Sequence, residues 1–187
     1  MALGMAFLDG GYIDKVLRGE RLSYEKLVQE MVAPDELFRA HYYHCLPPGS
    51  DTASEEELIF FKALAQIPKF EVRLGKLGYK EDADGKRIYH QKRVDVMLAV
   101  DMVETAVSGK ISKVALFSCA SDLIPAVEAV KRQHVSVTVW HGGKSENTRA
   151  SNELLRIADE RRELTKEMVK TMLWKPQQSG KHAAVQT

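Results

Sequence analysis

Short apolar runs alternate along this chain with segments in which apolar residues recur at helical spacing. The first run, residues 5–8, stops at Asp9-Gly10-Gly11 and is typical of a buried strand that ends in a turn. Similar runs predict further strands at 38–46, 70–74, 114–117 and 135–140. Helical spacing predicts helices over 24–32, about 55–66, 94–107, about 125–133 and 152–172.

Local start and stop signals support these boundaries. Ser23 is placed to cap the helix at 24–32, and Pro34 follows its end. Ser54 and Glu57 have the spacing of a capping box. The segment Asp82-Ala83-Asp84-Gly85 is typical of a hairpin turn, so residues 76–92 are expected to form a hairpin.

Strands that alternate with helices indicate an α/β fold with one open, mostly parallel sheet and helices on both faces, a three-layer α/β/α arrangement. In such sheets, ligands bind beyond the carboxyl ends of the strands, where the strand order reverses. We expect one domain over residues 1–172, including the basic hairpin at 76–92, and a loose tail at 173–187.

Composition and charge exclude several classes of protein. Lys and Arg number 27 against 26 Asp and Glu, so a histone-like polycation and an acidic disordered chain are both excluded. No window of 18 apolar residues predicts a transmembrane helix, and residues 1–7 are too short for a secretory signal. With 2 cysteines the chain has no disulfide framework, and a cytoplasmic protein without membrane association is expected.

Three aspartates are candidates for chemistry at the ends of predicted strands or at helix starts. Asp9 ends the first strand, Asp122 follows the strand at 114–117, and Asp95 opens the helix after the hairpin. Asp95 and Asp122 also have a plain structural explanation, because a helix dipole favours a carboxylate in the first turn. If the three carboxylates converge, their mutual repulsion requires a cation, and Mg²⁺ or Mn²⁺ suits oxygen ligands. An ion held in this way can activate water for the hydrolysis of phosphodiester bonds.

Four blocks of the chain resemble the NYN domain family, the LabA-like branch of the PIN-like ribonucleases. They are Phe7-Leu8-Asp9-Gly10-Gly11-Tyr12, the segment 91–102, residues 114–118 with Ser121-Asp122-Leu123-Ile124-Pro125, and the segment 151–159. The blocks span residues 5 to about 167 and occur in the order of that family. The resemblance implies a PIN-like α/β/α fold, a divalent metal ion and an RNA substrate.

The resemblance also implies roles for particular aspartates. Asp9, Asp95 and Asp122 fall on acidic motif positions and are the expected catalytic residues and metal ligands. Asp101 matches a recurrent aspartate of the family, but it lies six positions after Asp95, about 240° around a helix. It therefore cannot face the same ion directly, and we expect a supporting or purely structural role.

One departure from the family pattern leaves two functions open. The family motif after the strand at 114–117 usually reads Ser-Gly-Asp-Ser-Asp, and here Cys119 and Ala120 replace the Gly and the first Asp. The first function is an active, metal-dependent ribonuclease. The second is a degenerate domain that binds RNA or a protein partner without cleavage. A plain doubly wound small-molecule domain is disfavoured because the chain has no glycine-rich phosphate fingerprint.

Several residues are expected to contact RNA. The hairpin cations Lys86, Arg87, Lys92 and Arg93 lie among aromatic rings, a combination that suits single-stranded RNA, although a solvated surface hairpin has the same composition. Ser118 and Ser121 could hydrogen-bond a phosphate or a metal-bound water, or only cap a helix.

Two remaining groups have weaker signals. His41, His44 and Cys45 have metal-binding side chains, but no second cluster completes a four-ligand site, so packing is expected. Met168, Met172 and Trp174, at the end of the chain's last predicted helix, are candidates to meet a second subunit, since NYN-like proteins are often dimeric. A homodimer is the corresponding expectation.

Overall fold

The computed structural model describes residues 2–46, 55–82, 85, 87–143 and 148–174. It contains seven strands and seven α-helices within these residues. The strands are β1 (Leu3–Asp9), β2 (Glu36–Leu46), β3 (Phe70–Glu81), β4 (Arg87–Lys92), β5 (Lys113–Phe117), β6 (Ser136–His141) and β7 (Glu160–Glu163). The helices are α1 (Gly10–Leu17), α2 (Tyr24–Val32), α3 (Glu55–Leu64), α4 (Val94–Val107), α5 (Ile124–Arg132), α6 (Asn152–Ile157) and α7 (Lys166–Met172).

The strands form a single sheet in the order β4-β3-β2-β1-β5-β6-β7. Every neighbouring pair is parallel except β3 and β4, which form the antiparallel hairpin. From β1 the chain moves outward to β2 and β3, and it later returns to the other side of β1 as β5. The carboxyl ends of β1 and β5 therefore meet at the point where the strand order reverses, which is where α/β sheets bind ligands.

Helices cover both faces of the sheet. Alternate residues of β1 show this division, because Ala6 and Leu8 join one core cluster whereas Met5 and Phe7 join the other. Helices α1, α2, α3 and α7 contribute to the first cluster, and α4, α5 and α6 contribute to the second. The expected three-layer α/β/α fold with an open, mostly parallel sheet is confirmed.

Helix signals in the sequence were reliable where a cap or a proline marked the boundary. Helices α2 and α4 have the predicted bounds, and the Ser23 hydroxyl accepts a hydrogen bond from the Lys26 N–H. Pro125 lies in the first turn of α5. Strands β3 and β4 form the expected hairpin, and residues 83 and 84 of its turn lie outside the described residues. Ser54 of the predicted capping box also lies outside them.

The long helix predicted over 152–172 is wrong. The segment instead forms α6, the edge strand β7 and α7. Its residues have a helical composition, but the exposed edge of β6 pairs with residues 160–163, and this pairing overrides local propensity. Helix α1 was not predicted, because Gly10 and Gly11 read as a turn.

The same correction changes the expected subunit contact. Met172 is 7% exposed and packs into the protein's own core, so it is unavailable to a second subunit. Met168 is partly buried against that core, whereas Trp174 remains 51% exposed. Residues 175–187, most of the predicted tail, lie outside the described residues. The helices that the structure describes include none with the length and apolar character needed to span a membrane.

Candidate active site at the carboxyl edge of the sheet

Asp9 lies at the switch point of the sheet and is held by two hydrogen bonds. It is the last residue of β1 and the N-cap of α1, where its Oδ1 accepts from the Tyr12 N–H at 3.1 Å. Its Oδ2 accepts from the Ser118 hydroxyl at 3.1 Å. Only 8% of Asp9 is exposed. Burial raises the pKa of Asp9, the nearby charge of Asp95 adds to this rise, and the two hydrogen bonds oppose it.

The loop after β5 supplies the second part of the site. Ser118 is fully buried, and its hydroxyl oxygen also accepts a hydrogen bond from the Ala120 N–H at 3.3 Å. One turn of 3-10 helix follows at Ser121–Leu123, and Ala120 is its N-cap residue. Ser121 and Asp122 are exposed in this turn. Ser118 therefore orients Asp9 directly, whereas Ser121 and Asp122 face solvent.

The start of α4 supplies the third part. Arg93 is the N-cap residue, with a left-handed φ of 77°, and Asp95 follows in the first turn. Both residues are exposed. Partial desolvation of the carboxyl group by its surroundings nevertheless raises the pKa of Asp95, and the negative charge of Asp122 raises it further. Asp95 is thus near enough to interact electrostatically with both Asp9 and Asp122.

The three carboxylates do not form a ready-made metal cage. Among the residues that the structure describes, no three His, Cys, Asp or Glu side chains stand close enough together to hold a metal ion. The donor set nevertheless suits Mg²⁺ or Mn²⁺, which bind carboxylate oxygens, and Mg²⁺ commonly retains several waters. Asp9 is fixed, and the exposed side chains of Asp95 and Asp122 are free to turn toward an ion. Direct sharing of one ion by all three stays a prediction.

Asp101 lies in a different network, in which it joins α4 to the sheet. Its carboxylate accepts hydrogen bonds from the Tyr43 hydroxyl at 2.6 Å and from Arg73 at 2.9 Å. Asp101 is only 9% exposed. These contacts hold α4 against β2 and β3, and the supporting or structural role of Asp101 stays a prediction.

The two histidines and the cysteine near the end of β2 are also engaged in packing. His41 is buried against Tyr43 and Glu71. His44 pairs with Asp14 at 3.0 Å, and its ring stacks on Tyr42. Cys45 is buried, with 4% of its surface exposed. The expectation of packing is confirmed for the three side chains.

The basic hairpin is adjacent to the site in sequence. Strands β3 and β4 pair from Lys76–Lys92 to Glu81–Arg87 and lead directly to Arg93 and Asp95. Lys86 and the side chains of Arg87 and Lys92 lie outside the described part of the chain. Lys92 thus ends β4 directly before α4, whereas Arg87 begins β4 at the far end of the hairpin. Contact of the hairpin cations with RNA stays a prediction.

Sequence reasoning missed two residues of α1 that belong to this edge. The Tyr12 hydroxyl donates to the Thr148 carbonyl at 2.7 Å and accepts from the Gly142 N–H at 2.9 Å, so it joins the loop after β6 to α1. The charge of Lys15 lowers the pKa of both Asp9 and Cys119, against the larger effect of burial. Recognising the helix at Gly10 would have placed both side chains at the site.

Comparison with known proteins assigns the chain to a family. The model of the NYN domain matches residues 5–164, which is most of the chain. The chain belongs to the NYN domain family. NYN domains are PIN-like nucleases, and the match includes residues 5–9 of β1, the loop after β5 and the start of α4. No match was found among the curated proteins that were searched.

One solved structure similar to this NYN domain supports its fold, and a second shows only a weak similarity. A protein of unknown function from Vibrio parahaemolyticus RIMD 2210633 is 21% identical, with a TM-score of 0.62 over 92% of this chain and 97% of that chain. The catalytic domain of the CheB methylesterase from Thermotoga maritima is 13% identical, with a TM-score of 0.42 over 91% of this chain and 98% of that chain. The first similarity shows a shared α/β fold, and the second is too weak to carry an argument.

Proposed function

We propose that this NYN domain is a divalent-metal-dependent ribonuclease that hydrolyses phosphodiester bonds of RNA at the carboxyl edge of its sheet. The observation that carries the proposal is Asp9, a buried carboxylate at the switch point, held by Tyr12 and Ser118 beside the carboxylate of Asp95. Burying a carboxylate without a paired cation is unfavourable, so a fixed, buried Asp at this position suits a cation-binding role.

Asp9, Asp95 and Asp122 would hold the ion, either directly or through water. Mg²⁺ or Mn²⁺ bound there would activate a water molecule and stabilise the charge on the phosphoryl group. The hydrogen bonds from Tyr12 and Ser118 fix the orientation of the Asp9 carboxylate before the ion arrives. Each Asp9 oxygen retains a lone pair for a ligand bond, because each accepts one described hydrogen bond.

Single-stranded RNA is the proposed substrate. Arg93 is exposed at the N-terminus of α4, two residues before Asp95, and β4 ends at Lys92, directly before Arg93. Lys86 and Arg87 are the further cations of this hairpin that we propose to contact RNA. Cations interleaved with the rings of Tyr79, Tyr89 and His90 favour unpaired nucleotides. Ser121 is exposed between Ala120 and Asp122, where its hydroxyl can donate to a phosphate oxygen.

Ala120 weakens the proposed metal site. In the family pattern that this segment resembles, its position usually holds an aspartate; here Ala120 stands there, directly before Ser121 and Asp122. One carboxylate fewer reduces the attraction for a divalent ion and the activation of its water. We therefore expect weak metal affinity and slow cleavage that Mn²⁺ supports better than Mg²⁺.

A cleavage assay on labelled single-stranded RNA tests the proposal, with Mg²⁺ or Mn²⁺ and three proteins. Ala120→Asp should cleave faster than the natural chain, and Asp9→Asn should abolish cleavage. Changing one catalytic contact typically alters a rate on the order of 10²–10³-fold, so the three proteins should separate clearly. Equal cleavage by all three would indicate a contaminating nuclease and refute the proposal.

The second candidate function is binding of RNA without cleavage. Ala120 and the absence of a three-ligand cluster among the described residues favour it. It predicts that none of the three proteins cuts the RNA in this assay, together with measurable RNA binding.

We further propose that residues 1–172 form one domain of the LabA-like branch and that the protein acts in the cytoplasm. We also propose a homodimer, with the exposed Trp174 in the contact between the two subunits. Sedimentation as a monomer at high micromolar concentration would contradict the dimer.

A further inference from the structure

Lys15 is placed on the helix that begins directly after Asp9. Residue 15 lies four positions after Gly11, and residues four apart share one face of a helix. Helical side chains lean toward the helix N-terminus, which for α1 is the end at Asp9. Gly11, on the same face and nearer the helix start, has no side chain to stand between Lys15 and the carboxyl edge of the sheet.

The electrostatic effects of Lys15 agree with this placement. Its positive charge acts on the Asp9 carboxyl group, at the end of β1, and on the Cys119 thiol, in the loop after β5. These two groups belong to the neighbouring strands that define the switch point. The positive charge of Lys15 thus acts on groups of both strands at this edge, in agreement with its position on α1.

Lys15 is also available for a ligand. It is exposed, and within the part of the chain that the structure describes it forms no ion pair with a carboxylate. Other lysines of the fold have such partners, as Lys69 has in Glu36 and Lys131 in Asp159. The positive charge of Lys15 would repel a divalent ion held by the nearby carboxylates. Metal binding therefore does not explain why Lys15 lies at this position.

We infer that Lys15 binds the RNA phosphate backbone beside Asp9 and so positions the strand from the α1 side, on the opposite face of the sheet from Arg93 at the start of α4. The inference rests on the proposed function, because it assumes that RNA occupies this edge. An ammonium group suits the role, since it carries three donors and a compact charge that binds phosphate without a fixed geometry. The strand would then lie between α1 and the start of α4, across the three aspartates.

The test compares Lys15→Gln with Lys110→Gln, a matched loss of one positive charge. Lys110 is exposed in the segment between α4 and β5, at the opposite edge of the sheet. Binding of labelled single-stranded RNA is measured by fluorescence anisotropy over a series of salt concentrations, with EDTA to prevent cleavage. Lys15→Gln should weaken binding about tenfold at roughly 50 mM salt and reduce the salt slope by about 0.7. Lys110→Gln should bind as the natural chain does, and Lys15→Arg should retain the slope.

A second readout separates binding of RNA from damage to the site. Removing the positive charge of Lys15 should leave Mn²⁺ affinity unchanged or raise it, whereas a disturbed site would lose it. If the natural chain binds RNA and Lys15→Gln matches Lys110→Gln, the inference is overturned and the proposed function stands. If the natural chain neither binds nor cleaves RNA, the proposed function fails and the inference fails with it.

Discussion

Asp9 shows at the scale of one residue how this fold prepares a carboxylate. Burial and the charge of Asp95 favour its protonated form, while hydrogen bonds from Tyr12 and Ser118 favour its ionised form. The net effect is a raised pKa. A cation bound beside Asp9, as we propose, would stabilise the ionised form.

The hydroxyl of Tyr12 supports the same edge of the sheet. It bonds the Gly142 N–H and the Thr148 carbonyl, and Tyr12 itself is 2% exposed. Tyr12→Phe should therefore lower the free energy of unfolding by about 1–3 kcal/mol, because two backbone groups lose their partner. Urea unfolding measures the loss. Ser136→Ala, at an exposed hydroxyl, is the control and should change stability by less than about 0.5 kcal/mol. Equal stabilities of the two variants would contradict the role of Tyr12.

His41 makes the stability of the protein depend on pH. Burial and the positive charge of Arg73 lower its pKa to about 4, from a usual value of 6.5, against the opposing charges of Glu71 and Asp101. Between these two values the unfolded chain binds more protons at this residue than the folded chain does. The contribution of His41 to stability is thus complete above pH 6.5 and is lost as the pH falls toward 4.

Replacing His41 should flatten this dependence. In urea unfolding from pH 7 to pH 4, the natural chain should lose up to about 1.4 kcal/mol more per pH unit than His41→Gln does. The raised pKa values of Asp9, Asp95 and His44 change the free energy of unfolding in the opposite direction as the pH falls. Both proteins contain these three groups, so the difference between their curves reports the effect of His41. Parallel curves for the two proteins would show that His41 does not titrate in this window.

At the scale of the element, boundaries with chemical markers were predictable from the sequence. Ser23 and Pro34 bound α2, and Pro125 marks the first turn of α5. The segment 158–165 was not predictable in this way, because its charged residues suit a helix and only the edge of β6 makes them a strand. Gly10 and Gly11 predicted a turn after Asp9 instead of α1, so the positions of Tyr12 and Lys15 on a helix at this edge were not predicted.

Asp159 holds β7 to the sheet and gives a test of this element. Its side chain accepts a hydrogen bond from the Val137 N–H at 2.8 Å and pairs with Lys131 at 2.8 Å. Asp159→Ala should destabilise the fold by about 1–2 kcal/mol, most of it from the unsatisfied Val137 N–H. Chemical unfolding is the measurement, with Glu153→Ala on the exposed first turn of α6 as the control. A loss no larger than that of the control would mean that β7 is held by its backbone pairing alone.

At the scale of the whole molecule, the strand order assembles the candidate site. Alternating strands and helices in the sequence predicted a parallel sheet, but not which strands are neighbours. Placing β1 beside β5 joins Asp9 to Ser118, which are 109 positions apart in the chain. Asp9 could be singled out from the sequence because it ends a buried strand. The orientations of the Asp95 and Asp122 side chains could not be predicted from the sequence, because exposed side chains at helix starts are not fixed by packing.

The central claim is that Asp9 holds a divalent ion together with Asp95 and Asp122. Crystals of the natural chain and of Ala120→Asp, soaked with excess Mn²⁺, test it through an anomalous difference map. We expect one peak within about 2.2 Å of an Asp9 carboxylate oxygen, with Asp95 and Asp122 bound directly or through water, and higher occupancy in Ala120→Asp. A peak whose ligands exclude Asp9, or no peak at this edge in either crystal, would contradict the account.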